Sequence, residues 1–240
     1  DPKGTPPELA VFAGRSDTRM LYSYLRHFGG IASPHTSATE GGGTDWRDND
    51  PAAEPVVEVF QGMRRSYEHA GAPKAPVRGD IKPKGFIWNA LQQGHRLGFQ
   101  CSSDHVSTHI SFGVVFAEQN SRPAILDAFR KRHSYGATDN IVLVLRTAGH
   151  LMGDEFEASE PPELQIQVEG TAPISKVDII RGVGKETPAY VYAAEPGSET
   201  FRIRWRDRQL TPGTTTYWYV RVQQTDGNIA WSSPIWVRGR

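Results

Sequence analysis

The sequence predicts an α/β region followed by an all-β region, and three observations predict it. Apolar runs and helical periodicities alternate from Leu9 to Phe129, the rhythm of parallel strands with covering helices and right-handed crossovers. From Leu164 to Val237 the apolar residues instead recur at every second position, as they do in half-buried antiparallel strands. Between the two lies Glu157 to Pro162, rich in proline and acid, which reads as a hinge. The expected domains are therefore residues 1–157 and 158–240.

In the first region, Leu9 to Phe12 reads as a strand. Met20, Leu21, Tyr24, Leu25 and Phe28 follow at three- and four-residue spacing and stop at Gly29 and Gly30, an amphipathic helix with a glycine end. Gly30 to Ser33 reads as the next strand and delivers His35 at its far end. Thr36 to Pro55 is a long polar loop, of the kind that serves as a lid or mobile insertion. Val56 to Phe60 is strand, Phe86 to Leu91 helix, Leu97 to Cys101 strand, and Ser121-Arg-Pro opens a further helix through Phe129.

In the second region, Leu164/Ile166/Val168, Val177/Ile179, Tyr190/Tyr192, Phe201/Ile203/Trp205, Trp218/Val220/Val222 and Ile235/Val237 mark six strands. Asp226-Gly-Asn is a hairpin tip, and the expected form is a small antiparallel sandwich. Its tryptophans, Trp205, Trp218, Trp231 and Trp236, either fill the core or line a carbohydrate groove.

Composition excludes several partners. Lys plus Arg equals Asp plus Glu at 27 each, and neither region departs from that balance by more than one charge. Nothing in that balance suggests nucleic acid or an anionic membrane. The single cysteine, Cys101, excludes an internal disulfide and reads as a buried small residue. No run of 18 apolar residues is present.

The residues that carry chemistry concentrate in Phe99 to His109, Phe-Gln-Cys-Ser-Ser-Asp-His-Val-Ser-Thr-His. A carboxylate and imidazoles at a strand's end suit a metal site; equally, Asp104 can cap the next turn while the histidines stay on the surface. A serine triad is disfavoured, because no Gly-x-Ser-x-Gly elbow is present. Glu58 lies on a strand, where a carboxylate facing the core must be paired.

Leu97-Gly-Phe-Gln-Cys-Ser-Ser-Asp-His, followed by Arg122-Pro-Ala-Ile-Leu-Asp-Ala-Phe-Arg-Lys-Arg-His-Ser-Tyr-Gly-Ala-Thr, resembles the PHP (polymerase and histidinol phosphatase) superfamily, in its branch with a trailing β domain. Pro34-His-Thr-Ser-Ala-Thr, Val57-Glu-Val-Phe-Gln-Gly, Tyr219-Val-Arg-Val-Gln-Gln-x-Asp-Gly and Trp231-Ser-Ser-Pro-Ile-Trp-Val resemble it too. The resemblance implies a partial barrel, the second half of a distorted (β/α)7 TIM-like PHP barrel, ahead of the sandwich. It also implies a metal-dependent hydrolase, a phosphoesterase acting on a small phosphorylated substrate, with Zn, Mn or Fe as the divalent metal. Carried over by residue, His35, Asp104 and His105 become metal ligands, and Asp104 and His105 the catalytic pair. The family's Asp-x-His has Val at 106 here, and its opening His-x-His is not found in these 240 residues. A missing N-terminal half or another chain is then expected to complete the barrel. The alternative is a non-catalytic binding or accessory module, directed at carbohydrate or protein.

Overall fold

The computed structural model describes residues 18–40, 42–62, 65–76, 81–105 and 107–240. The strand expected at Leu9 to Phe12 lies outside them. Three helices form where the three- and four-residue spacing placed them: α1 Thr18–Phe28, α2 Ile87–Gln92 and α3 Arg122–Arg130. Ser121 caps α3 by accepting from the Ala124 amide, which satisfies one of the donors that a helix start leaves open. On α1 only Tyr22 is buried; its hydroxyl donates to Glu54 at 2.8 Å. Leu21 and Tyr24 on the same helix are exposed.

Strands account for most of the rest, and their pairing gives three layers. The first holds β1 (Val56–Gln61) and β2 (Gly98–Ser102), paired in parallel and connected through α2. Residues 32–34 run beside β1, where Ala32 N donates to Ala53 O and Glu58 N to Pro34 O. The second is an eight-stranded sheet containing β3 (Phe112–Val115), β4 (Ser134–Ala137), β7 (Glu155–Ala158), β9 (Ile174–Val183), β10 (Ala189–Ala194), β12 (Thr215–Gln224), β13 (Ile229–Ser232) and β14 (Ile235–Gly239). The third is a four-stranded sheet of β5 (Val142–Thr147), β6 (His150–Leu151), β8 (Glu163–Glu169) and β11 (Thr200–Arg206).

The half barrel expected from the sequence is not formed. Among the described residues only β1, α2 and β2 make a parallel, helix-linked unit; β3 and β4 are also joined by a helix, α3, yet pair antiparallel. Alternation of element types does not fix the direction in which strands pair, and here the chain leaves β2 for a sheet that is antiparallel throughout except at β7–β14. The α/β half of the expected fold class is thus corrected to one βαβ unit lying on a β-rich body. That body includes β3, β4 and β7, all of which begin before residue 158.

The middle sheet is apolar on both faces. Along β12, Tyr217 and Tyr219 pack with Val57, Phe99 and Leu91 of the first layer, whereas Trp218, Val220 and Val222 pack with Leu143, Ile166 and Val168 of the third. Trp218, Trp231 and Trp236 are fully buried, each contributing about 1.5–3 kcal/mol or more by leaving water. They fill the two cores and offer no face to a sugar; Trp205 is half-buried.

Two glycines bring the first two layers into contact. Gly113 and Gly136 are cross-strand partners on β3 and β4, and both lie against β2. A β-carbon at Gly136 would overlap the Cys101 sulfur and sit 2.9 Å from the Cys101 nitrogen. At this distance serines of the middle layer serve the free edge of β2. Phe99 N donates to Ser233 Oγ at 2.8 Å, and Ser134 Oγ donates to Phe99 O at 3.0 Å.

Candidate functional sites at the rim and the seam

The rim lies where β1 and β2 end. Register pairs Glu58 with Gln100 and Gln61 with Ser102, and Glu58 is the buried carboxylate among them, 2% exposed. Ser102 Oγ donates to its Oε1, and Thr36 N donates to Oε2 at 3.3 Å. Burial pushes its pKa up. The Ser102 and Thr36 hydrogen bonds and His35 oppose that shift, and Asp104 reinforces it. His35 and Asp104 therefore stand near enough to act on one buried charge.

Of the residues expected to bind metal, His35 is exposed, Asp104 half-buried and His105 exposed. Asp104 accepts from the His105 amide at 2.7 Å, and its Oδ1 lies 3.1 Å from His105 Nε2. The pair closes on itself instead of reaching toward His35. Asp104 takes a left-handed backbone, φ 65°, which turns the chain sharply out of β2. Among the described residues no three His, Cys, Asp or Glu side chains converge in a way that holds an ion. As arranged, His35, Asp104 and His105 do not fit a ready-made metal centre.

The seam between the first two layers holds a second constellation, which sequence reasoning missed. Glu68, Asp178 and Arg221 are all but fully buried. Arg221 Nη1 donates to Glu68 Oε2 and Nη2 to Asp178 Oδ2, both at 2.9 Å. Trp231 Nε1 donates to Glu68 Oε2 at 2.9 Å, and Tyr219 donates to Oε1. Trp88 Nε1 in turn donates to the Tyr219 oxygen at 2.7 Å. Lys176 Nζ lies 3.1 Å from Asp178 Oδ1, close enough for an ion pair but outside hydrogen-bond geometry, since that oxygen has no directed donor.

Each element of this network has a clear electrostatic role. Burial disfavours the charged form of Arg221, but Glu68, Tyr219 and Tyr190 outweigh it and hold the guanidinium protonated. Burial, with Glu68 alongside, drives the Tyr219 pKa far up and keeps its proton available to donate. At the outer end, Tyr190 accepts from Arg221 Nη2 at 3.2 Å, and its hydroxyl lies 2.7 Å from His69 Nε2. The His69 ring stacks on Trp88 with centroids 3.8 Å apart. The one sequence signal available was parity: Arg221 shares a strand face with Tyr217 and Tyr219, and a cation there requires a buried partner.

Residues 163–239, from β8 through β14, match the family described as Rha78A-like, N-terminal immunoglobulin domain. Among curated proteins, an uncharacterised protein of Chlamydia muridarum is 28% identical over 244 residues, covering 86% of this chain and 38% of the relative. An uncharacterised protein of Chlamydia trachomatis serovar D is 26% identical over 242 residues, covering 86% and 38%. Another, of Chlamydia pneumoniae, is 25% identical over 250 residues, covering 90% and 40%. The chain spans about two fifths of the length of these relatives. No solved structure matches. The immunoglobulin-like match and the strand-dominated architecture overturn the PHP resemblance, and the hydrolase and phosphoesterase assignments fall with it. The immunoglobulin-like region points to an accessory module. No described helix is long and apolar enough to cross a membrane.

Proposed function

We propose that this chain is a non-catalytic accessory module that engages protein, with the region matched at residues 163–239 as its immunoglobulin-like unit, β3 to β7 extending its sheets, and β1, α2 and β2 forming the layer docked against it. The observation that carries this reading is the seam. Arg221 bridges Glu68 of the first layer and Asp178 of the middle sheet at 2.9 Å each, so the sheet that a free sandwich would present as a binding face is already covered. Carbohydrate is the weaker partner class, because Trp218, Trp231 and Trp236 are at most 1% exposed and stacking on sugars needs an open ring face. Exposed Leu21 and Tyr24 on α1 offer the kind of apolar anchor that protein interfaces use.

Tryptophan fluorescence titrated with soluble polysaccharides tests this reading. A flat response across the panel is expected, and a saturable change abolished by Trp205→Ala would overturn it. A divalent metal (Zn, Mn or Fe) at the rim is the second reading, favoured by buried Glu58 standing beside His35 and Asp104. It requires His105 to release Asp104. Elemental analysis of the purified chain decides it, with less than about a tenth of an equivalent counting against.

A further inference from the structure

A cavity of about 360 Å³ opens at the seam, and its walls come from separate parts of the chain. Phe60, at the end of β1, and Ile110 supply apolar surface; Thr138 and Asn228 come from the middle layer; Arg65 and Lys74 supply two positive charges. Volumes of this order accept a small organic molecule.

Hydrogen bonding gives the cavity its sign. Thr138 is occupied, donating to Asn228 Oδ1 and accepting from Ile229 N, both at 2.9 Å. Asn228 Nδ2 spends one proton on Asp226 Oδ2 at 3.0 Å and retains a second. The nearby Asp226 is itself engaged by Gln224 and by the Asn228 amide. Neither Arg65 nor Lys74 has a carboxylate partner among the described residues. What the cavity offers a ligand is therefore donors and positive charge over an apolar floor.

The backbone that carries the two cations is anchored. Gln61 N donates to Arg65 O at 3.1 Å, Ser66 N donates to Lys74 O at 3.0 Å, and Phe60 bridges Ser66. Both residues thus belong to one short ladder fastened to β1. Lys74 adopts φ 58°, a left-handed conformation that a residue with a β-carbon takes only at an energetic cost. Glycine would take that conformation without cost.

We propose that this cavity binds a small organic oxyanion, a phosphate or carboxylate group clamped by Arg65 and Lys74, whose apolar body rests on Phe60 and Ile110. Arg65 is suited to grip two oxygens of the group at once, and Lys74 to add a point charge. This inference stands apart from the accessory reading and survives its failure.

Isothermal titration of the full chain with phenyl phosphate, benzoate, inorganic phosphate and phenol tests it. The aromatic anions are expected to bind saturably and more tightly than inorganic phosphate, with phenol giving no signal. Arg65→Ala and Lys74→Gly should each weaken phenyl phosphate about tenfold or more, near 1.4 kcal/mol, while the melting temperature holds. Lys74→Gly keeps the left-handed turn, so a loss of binding in that variant reports the lost charge and not a broken fold. Absence of saturable binding by either aromatic anion, equal binding of phenol, or unchanged affinity in the double variant would overturn the proposal.

Discussion

The rim and the seam each bury one glutamate, and the molecule treats the two differently. Glu68 meets a guanidinium, an indole N–H and a phenol. Glu58 meets a hydroxyl and a single amide, and its pKa is raised because burial outweighs them. A fully partnered carboxylate serves as a structural rivet, whereas a partly partnered one remains responsive to protons and ions. The seam is where the layers are joined, and the rim is where the molecule stays electrostatically adjustable.

The sharpest way to break this contrast is at Arg221. Arg221→Ala leaves Glu68 and Asp178 buried without their cation and is expected to cost about 3–5 kcal/mol, read from urea denaturation. A cost under about 1 kcal/mol would show that apolar packing alone joins the layers. Next is the glycine contact: Gly136→Ala forces a methyl group against Cys101, and overpacking of this kind costs about 1–3 kcal/mol, visible as a lower melting temperature.

The rim should respond to pH instead. A carboxyl whose pKa is raised on folding binds its proton more tightly in the native state. Its stabilising contribution is therefore complete below the ordinary glutamate value and is lost as pH rises through the raised one. Glu58→Gln is expected to remove that slope in denaturation curves taken from pH 4 to 8. His69 gives the smallest effect and the opposite sign. Burial lowers its pKa, Glu68 opposes and Arg221 assists. Its contribution is present above the ordinary histidine value and lost as pH falls through the lowered one. His69→Gln should flatten the acid limb, by less than Glu58→Gln changes its own slope.

What could be read from the residues follows from which patterns are local. Met20 to Phe28 announce α1, and Trp218/Val220/Val222 announce β12, because side-chain periodicity is a property of one element. β13, Ile229–Ser232, was missed because all four of its residues are buried and a strand covered on both faces shows no alternation. The antiparallel pairing of β3 with β4 was invisible for a different reason: α3 between them suggested a crossover, and only tertiary contact decides direction. At the rim, His35 and Asp104 do come near one carboxylate, yet that carboxylate is Glu58. Glu68 carried no readable signal at all, since its partners lie more than 100 positions away at Tyr219, Arg221 and Trp231.

The hydroxyls of Ser134 and Ser233 at the edge of β2 bear on how this protein can be divided. The change of texture near residue 157 invites a cut, but those two serines lie on opposite sides of it. A chain severed there would strip Phe99 of one of its two partners and bare a strand edge ready to recruit neighbours. Exchange of the Phe99 amide should accordingly track unfolding of the entire molecule, making a single proton the reporter of whether the layers melt together.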